Sequence, residues 1–251
     1  MLLRPFLNDA GSCASYLFGC TSHNRLAIVD AHVDLVDDYI AAAAVIGAPI
    51  RAVFETHLQA DHVSGLPALV ERTGATAYLP TGAGVEFDHV ALADGERVEI
   101  GNTIVTAIAT PGHAPAHHAY LVADRRRGDE EPWLLFSGDS LLIGDVGRPD
   151  LHVAGHAHGQ ARLMHASLRR LLELPDGVVL LPSHYGGSVC GRGLSGNPFS
   201  SIGFERSHNP LLAVEDPDAF ADALLEDAPP RPLEQERIVA ANRSGKVSVP
   251  A

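Results

Sequence analysis

Short apolar segments alternate with turns rich in glycine and polar residues from the start of the chain to about residue 210. Such an alternation of short strands and helices is typical of a layered α/β protein. The pattern predicts strands at residues 14–18, 26–29, 51–56, 98–100, 103–109, 119–123, 133–136 and 178–181. It predicts helices at residues 35–46, 66–72 and 161–172, each followed shortly by glycine or proline, and a short surface helix at 218–225. The predicted fold class is therefore α/β.

Histidine and aspartate residues follow four of the predicted strands. These residues are His57, His113, Asp139 and His184, and each comes within four positions of a strand end. Loops at strand ends build functional sites in such proteins, because the sheet holds them rigidly. A single histidine in such a place carries little meaning. Four residues of this kind together indicate that they share a metal ion.

The segment at residues 56–65 carries a specific pattern. It reads T-H-L-Q-A-D-H-V-S-G and resembles the T-H-x-H-x-D-H-x-x-G signature of the metallo-β-lactamase superfamily. His113, Asp139 and His184 then follow in the order that this superfamily shows. The resemblance covers roughly residues 10–210. It implies an αββα sandwich, in which two mixed β-sheets are flanked by helices and metal ions lie at one edge.

A second segment, residues 137–151, looks like the G-D-x-L-x-x-G-x-x-G-R-x-D stretch of the persulfide dioxygenases, the ETHE1-like sulfur dioxygenases. Residues 187–191 and 201–210 resemble the members of that branch that are fused to rhodanese domains. In those members a tail such as residues 230–245 leads into the rhodanese domain, whereas the present sequence ends there. The resemblance therefore implies that the protein works with a separate rhodanese-type sulfurtransferase.

The same resemblance implies one Fe(II) per chain, held by the catalytic residues His57, His113 and Asp139. Two imidazoles and one carboxylate form the facial triad that suits non-haem Fe(II), and they leave about three positions open. Those positions accommodate a thiol persulfide and O₂ side by side. The expected reaction is oxidation of the terminal sulfur of a low-molecular-weight thiol persulfide, such as glutathione persulfide, to sulfite and free thiol.

Gln59 departs from the superfamily signature, which has histidine at this position. A neutral amide is a poor zinc ligand beside imidazole or thiolate, so Gln59 opposes the alternative function, a zinc-dependent thioester hydrolase of the glyoxalase II type. With Gln59, the residues Asp61, His62 and His184 are interpreted as groups around the ligands that orient them, relay protons or contact substrate. The alternatives are a second metal ion held together with Asp139, and structural hydrogen bonding alone.

Three residues near the predicted centre are candidates for substrate binding. The planar fork of Arg148 suits a carboxylate or a sulfur oxyanion, although a structural pair with Asp150 is an equal alternative. Tyr185 either lines the substrate pocket or packs. Cys190 either accepts a sulfane sulfur as a thiolate or serves as a small buried hydrophobe. A sulfur-binding module without catalytic activity, acting through Cys190, is a third hypothesis.

Other histidines and cysteines are assigned less specific places. His117 and His118 are expected at the border of the pocket or at the surface. His156 and His158 are expected in a solvated loop that leads into a helix, with an adventitious metal site as the alternative, and His152 is given no place of its own. Cys13 and Cys20 flank a predicted strand and are expected in the core or at its edge. No chemical role is assigned to these residues.

Composition and charge limit the partners. The net charge of −13 counts against nucleic acid, and no apolar run reaches the ~20 residues that span a bilayer, so no membrane contact is expected. The three cysteines fit a reducing, cytoplasmic location.

A catalytic domain is predicted at residues 1–212, followed at 213–251 by an acidic helix and tail whose last dozen residues form a linker or arm. A homodimer is a further expectation.

Overall fold

Two β-sheets form the centre of the structure, a computed structural model that describes residues 1–9, 12–153, 155–186, 194–226 and 233–246. The first sheet contains, in spatial order, β1 (Leu2–Asn8), β2 (Cys13–Cys20), β3 (Arg25–Val29), β4 (Ile50–Phe54), β5 (Thr76–Pro80) and β6 (Val90–Leu92). Strands β1 to β3 pair antiparallel, whereas β3 to β6 pair parallel. The first sheet is therefore mixed.

The second sheet follows chain order from one edge to the other. Its strands are β7 (Arg97–Ile100), β8 (Thr103–Ala109), β9 (His118–Asp124), β10 (Pro132–Gly138), β11 (Val179–Pro182) and β12 (Ser200–Ser201). β10 and β11 pair parallel, and the other neighbours pair antiparallel. This sheet is mixed as well.

Helices pack on the outer face of each sheet. The helices of the described residues are α1 (Val36–Ile46), α2 (Leu66–Thr73), α3 (Arg125–Gly128), α4 (Ala157–Leu171), α5 (Ile202–His208), α6 (Pro217–Leu225) and α7 (Gln235–Ser244). α1 and α2 pack on the first sheet through a cluster that includes Tyr39 and Leu69. α4 and α6 pack on the second sheet through a cluster that includes Met164 and Phe220.

The inner faces of the two sheets meet in an aromatic core. Phe18 and Phe54 of the first sheet lie in one cluster with Tyr120 and Phe136 of the second. The ring centroids of Phe18 and Phe136 are 4.9 Å apart. Because β2 is covered on both faces, every one of its residues is buried, as its largely apolar sequence indicates. The order helix, sheet, sheet, helix confirms the predicted αββα sandwich.

The structure contains elements that were not predicted, among them strands at and next to the sheet edges and the helices α3, α5 and α7. β1, β5, β6 and β12 were not predicted, and α4 begins at Ala157, four residues before the predicted start. The predicted linker or arm at the end of the chain is wrong as far as Ser244, because α7 occupies this stretch. The division into residues 1–212 and 213–251 stays a prediction. Among the described residues, no helix has the length and apolar character needed to cross a membrane.

Candidate metal centre

The loops after β4, β8, β10 and β11 meet at one edge of the sandwich. They carry His57, His113, Asp139 and His184, so the structure brings together the four residues that the strand-end pattern singled out. All four side chains are at most 1% exposed. A convergence of ionisable groups from four loops in a buried place requires compensation by hydrogen bonds or by an ion.

His57, His113 and Asp139 form the inner group. The ring centroids of the two histidines are 4.8 Å apart, and His113 Nε2 lies 3.6 Å from Asp139 Oδ2. Asp139 Oδ2 is buried and has no hydrogen-bond partner among the residues that the structure describes. A buried carboxylate oxygen without a partner is costly, so this atom is well suited to a cation. The donor set of two imidazoles and one carboxylate therefore fits a transition-metal ion.

Hydrogen bonds fix the orientation of both inner histidines. His113 Nδ1 donates to the carbonyl oxygen of Arg148 at 2.9 Å, which leaves Nε2 toward Asp139. The Thr56 hydroxyl donates to Asp30 at 3.0 Å, so it accepts at 2.9 Å from His57 Nδ1. In both rings Nδ1 carries the proton and Nε2 has the lone pair that metal ions bind.

The electrostatics of the inner group favour neutral imidazoles and an ionised carboxylate. Burial, together with the neighbouring His113 and His117, holds the pKa of His57 well below its usual value. Burial alone would raise the pKa of Asp139, but the adjacent His184 and its hydrogen bond outweigh burial and bring this pKa below the usual range. Both are the protonation states that bind metal.

His184 and Asp61 lie directly behind Asp139. His184 Nδ1 lies 2.7 Å from Asp139 Oδ1, and His184 Nε2 lies 2.6 Å from Asp61 Oδ2. His62 Nδ1 is 3.1 Å from Asp61 Oδ1. The contact of His184 holds one carboxylate oxygen of Asp139 and leaves the other toward the inner histidines.

Gln59 lies between two buried carboxylates. Its Nε2 is 3.4 Å from both Asp30 Oδ1 and Glu55 Oε2, while its Oε1 has no partner within the described part of the chain. Burial and the charge of Asp30 raise the pKa of Glu55 to about 8. The amide therefore separates two acids that would repel each other if both were ionised.

Arg148, Tyr185 and Cys190 were predicted to bind substrate. Arg148 is buried and donates from Nε and from one terminal nitrogen to Asp150, both at 2.8 Å, so the structural pair considered for it is present. The Tyr185 hydroxyl donates to Asp9 at 2.6 Å. Cys190 lies outside the described residues. Substrate contact by these three residues stays a prediction.

Several residues belong to the centre although the sequence did not point to them. The ring centroid of His152 lies 5.5 Å from that of His113, so His152 lies beside the inner group. His117 stacks on His57 at 4.9 Å and accepts from the Asp139 amide at 3.2 Å. His117 and His118 are both buried rather than at the surface.

Cys13 is buried, as expected, but its place beside the centre was not predicted. Its Sγ lies 3.4 Å from His184 Nε2 and 3.8 Å from His62 Nδ1. The fold brings Cys13 there, because β2 begins beside the loop after β11. At this place the amide of Ala14 donates to the carbonyl of Ser183 at 2.7 Å. A pairing between strands so distant in sequence has no local pattern.

Gly147 is predicted to be intolerant of any side chain. A Cβ at this position would overlap the carbonyl oxygen of Asp139 and would lie 3.0 Å from His113 Nδ1. We expect Gly147→Ala to lose about 1–3 kcal/mol of unfolding free energy, because overpacking displaces the surroundings, and to weaken metal binding. Urea unfolding and metal titration measure the two effects. Gly177→Ala is the control, because nothing lies within 4 Å of a Cβ there, and equal losses in both variants would contradict the prediction.

A cavity of about 770 Å³ adjoins the centre. Its lining includes Leu58, Leu151, His152 and residues 82–84 and 114–116. A volume of this size accommodates a small organic ligand. Since His152 lies beside His113, a ligand in the cavity can reach the candidate metal ligands.

Helix α7 forms one wall of this cavity and is fixed to the centre. The Asn242 amide donates to the carbonyls of Gln59 at 3.0 Å and His62 at 2.8 Å. Its oxygen accepts from the Ser64 amide at 2.9 Å. At the other end of the helix, Gln235 Nε2 donates to the Leu151 carbonyl. The cavity wall is therefore rigidly connected to the loop that carries His57.

A family model agrees with the fold and with the site geometry. The family model of the metallo-β-lactamase superfamily matches residues 8–184. The chain therefore belongs to the metallo-β-lactamase superfamily, whose members are metal-dependent enzymes.

Two solved structures resemble the whole fold. The structure of a metallo-β-lactamase from Staphylococcus aureus subsp. aureus COL has a TM-score of 0.92 and 29% identity, covering 99% of this chain and 74% of that chain. The structure of ETHE1 from Myxococcus xanthus has a TM-score of 0.84 and 29% identity, covering 97% of this chain and 99% of that one.

A curated relative is named for a hydrolase activity. The hydroxyacylglutathione hydrolase of Pseudomonas entomophila (strain L48) is 33% identical over 172 residues, which are 67% of this chain and 60% of the relative. The chain thus spans less than two thirds of that hydrolase. The comparisons establish a metal-dependent superfamily and leave dioxygenase and hydrolase as the two reactions to distinguish.

Proposed function

We propose that the protein is an iron-dependent persulfide dioxygenase. It oxidises the sulfane sulfur of a low-molecular-weight thiol persulfide, such as glutathione persulfide: RSSH, O₂ and H₂O give RSH, sulfite and two protons. The observation that carries the proposal is the inner group of His57, His113 and Asp139, with a buried carboxylate oxygen that lacks a partner among the described residues. The likeness to ETHE1 from Myxococcus xanthus supports it.

The inner group supplies what Fe(II) needs. Two neutral imidazoles and one ionised carboxylate hold it, and bound Fe(II) offers a common place and an electron path for persulfide and O₂. His184 keeps Asp139 Oδ1 hydrogen-bonded, so that Oδ2 alone faces the two imidazoles. The carbonyl of Arg148 keeps His113 in the matching tautomer. These contacts orient the ligands before substrate arrives.

Gln59 favours iron over a pair of zinc ions. It supplies a neutral amide where a dinuclear zinc hydrolase has an imidazole, and this amide already contacts Asp30 and Glu55. Thiolate and imidazole are the stronger zinc ligands. A first zinc site that depends on this position is therefore weakened, whereas the inner group does not use Gln59.

The thiol carrier is proposed to lie in the cavity beside α7. Histidine aside, Arg243 is the one cation and Glu236 the one anion among the lining residues that the structure describes. They are two helical turns apart, a spacing of about 10 Å. Arg243 suits a carboxylate of the carrier and Glu236 an ammonium group, and glutathione has both.

Replacement of Arg243 is expected to weaken binding of the carrier without slowing the chemical step. Because Arg243 is exposed, we expect Arg243→Gln to raise KM for glutathione persulfide about tenfold, corresponding to about 1.4 kcal/mol, with kcat unchanged. Steady-state O₂ uptake measures both constants. Arg237→Gln is the control, because Arg237 lies on the same helix but pairs with Glu234 at 2.7 Å and does not line the cavity. An equal rise in KM for both variants would refute the assignment.

The function is tested with protein loaded with Fe(II) under anaerobic conditions. We expect about one iron per chain, consumption of one O₂ per glutathione persulfide, and formation of one sulfite. An oxygen electrode measures the O₂ consumption, and a sulfite assay measures the sulfite formed. Iron-loaded protein that takes up no O₂ with glutathione persulfide, coenzyme A persulfide or hydrogen persulfide would overturn the proposal.

The second candidate function is a zinc-dependent thioester hydrolase of the glyoxalase II type. The hydroxyacylglutathione hydrolase of Pseudomonas entomophila, 33% identical over 172 residues, favours it. A hydrolase of this type would use the same fold and most of the same candidate ligands. In such an enzyme, zinc lowers the pKa of a bound water to produce the nucleophile. Hydrolysis of S-lactoylglutathione by zinc-loaded protein, without O₂ uptake by the iron form, would favour this function over the first.

A further inference from the structure

His152 lies between the cavity beside α7 and the inner group. It is the one histidine among the cavity-lining residues that the structure describes, and this lining does not include His57, His113 or Asp139. The ring of His152 meets the ring of His113 edge to face, with centroids 5.5 Å apart and an interplanar angle of 73°. A ligand group that passes from the cavity to the inner group therefore meets the His152 ring.

The Nε2 atom of His152 is buried and lacks a hydrogen-bond partner within the described ranges of the chain. One ring nitrogen of His152 lies within 4.8 Å of a ring nitrogen of His57 and of one of His113. A buried polar atom without a partner costs free energy, which a ligand group at hydrogen-bonding distance recovers. Nε2 is therefore suited to a polar group of a ligand that lies beside the inner group.

The backbone that leads to His152 is fixed at two points. The Arg148 carbonyl accepts from His113 Nδ1 at 2.9 Å. The Leu151 carbonyl accepts from Nε2 of Gln235, which is on α7. These contacts direct the ring toward the centre before a ligand arrives, and a preorganised group loses less entropy when it binds.

The position of His152 assigns it to the ligand rather than to the metal ion. The ring centroids of His57 and His113 are 4.8 Å apart, whereas the centroid of His152 is 6.0 Å from that of His57. The two inner histidines are at most 1% exposed, while His152 is partly exposed and faces the cavity. The third imidazole thus lies on the side from which a ligand enters.

An anionic sulfur is the chemical group that fits this nitrogen. A neutral imidazole carries one N–H, and a hydrogen bond from it to an ionised acceptor is stronger than one to a neutral acceptor. The terminal sulfur of a persulfide loses its proton more readily than a thiol does, so it is such an acceptor. The acceptor selects the tautomer of His152 with the proton on Nε2.

We propose that His152 binds the terminal sulfur of the persulfide through a hydrogen bond from Nε2–H to the anionic sulfur. The inference rests on the proposed function, because it names the contact that holds the sulfur to be oxidised. No proton is transferred in this contact. A carrier that ends in an uncharged sulfur leaves Nε2 without its partner, so His152 makes the site selective for the persulfide.

Binding without turnover tests the contact. Iron-loaded full-length protein is titrated by calorimetry in the absence of O₂. The two ligands are glutathione persulfide and S-methylglutathione, which has the same carrier but an uncharged sulfur. We expect His152→Leu to weaken binding of glutathione persulfide at least about tenfold, because a hydrogen bond to a charged acceptor is lost. The affinity for S-methylglutathione and the iron content are expected to be unchanged.

Two variants are the matched controls. His152→Gln keeps an amide N–H near the position of Nε2, so we expect its affinity for glutathione persulfide to stay within about threefold of that of the unsubstituted protein. His158 follows in the same part of the chain, but its side chain is 58% exposed and it does not line the cavity. We expect His158→Leu to bind both ligands normally.

The outcomes separate this contact from its alternatives. Unchanged binding of glutathione persulfide in His152→Leu, or no binding by the unsubstituted protein, would overturn the inference. An equal loss for S-methylglutathione would show that the ring only shapes the cavity wall, and loss of iron would make His152 a metal ligand; both results overturn it as well. Binding that depends on His152 in a protein that takes up no O₂ would refute the proposed function and support this contact.

Discussion

Replacement of Asp139 by alanine is expected to remove bound metal and activity together. Asp139 supplies the one negative charge in the inner group, and its Oδ2 lies 3.6 Å from His113 Nε2. Without it, two neutral imidazoles remain, which is too few ligands to retain Fe(II). We expect iron affinity to fall by more than about 100-fold, since loss of a group that only hydrogen-bonds to a metal ligand already lowers metal affinity 10–100-fold. We expect O₂ uptake to become undetectable. Elemental analysis and an oxygen electrode measure the two losses.

Two comparisons make the Asp139 experiment specific. Ser140→Ala removes a neighbouring buried hydroxyl that donates to the Ser137 carbonyl at 2.7 Å, outside the inner group, and should keep iron and rate. Asp139→Asn keeps the volume but removes the charge, and should behave like Asp139→Ala. Full iron content and full rate in Asp139→Ala would show that the ligand assignment is wrong.

The strand-end pattern predicted that His57, His113, Asp139 and His184 lie together, and the resemblance to the persulfide dioxygenases singled out the first three as the inner group. His57, His113 and Asp139 follow strand ends, and the ends of neighbouring strands in a layered α/β protein meet at one edge. The loop geometry also agrees with the sequence, because Gly112 and Gly138 have φ values of 141° and 56° that glycine adopts readily. The roles of these side chains stay predictions until metal binding is measured.

Cys13, His152 and Asn242 show where sequence pattern is insufficient. Cys13 reaches the centre through contact between β2 and the loop after β11, and Asn242 bonds to the carbonyls of Gln59 and His62 from a helix more than 170 residues away in the chain. Such contacts depend on how the layers pack, which leaves no periodic signal in one segment. His152 follows the arginine motif, but nothing in its own sequence indicates that it turns inward.

Three of the four missed strands have a common physical cause. β1, β6 and β12 are short or lie at sheet edges, and none has a clear run of buried residues. Half-exposed edge strands carry a weak hydrophobic pattern. β2, which is buried along its whole length, was predicted without difficulty.

Replacement of Asp30 by alanine is expected to cause the largest loss of stability outside the inner group. The Asp30 carboxylate accepts from the Thr56 amide at 2.8 Å, from the Thr56 hydroxyl at 3.0 Å and from the Ser183 hydroxyl. Thr56 precedes His57 and Ser183 precedes His184, so one carboxylate ties together the loops after β4 and β11. Each buried donor left without an acceptor costs about 1–3 kcal/mol, so we expect Asp30→Ala to lose more than about 3 kcal/mol. Urea unfolding measures the loss.

The effect on metal binding distinguishes this support from a purely structural role. In Asp30→Ala the Thr56 hydroxyl no longer has to donate to a carboxylate, so it can donate to His57 Nδ1 and move the ring proton to Nε2, where the metal binds. We therefore expect weaker iron binding as well as lower stability, while Asp30→Asn retains an acceptor oxygen and loses less of both. Asp34→Ala is the control, because its side chain is 65% exposed and an ion pair with an exposed partner contributes little. Unchanged iron affinity in a destabilised Asp30→Ala would show that the carboxylate supports the fold without orienting His57.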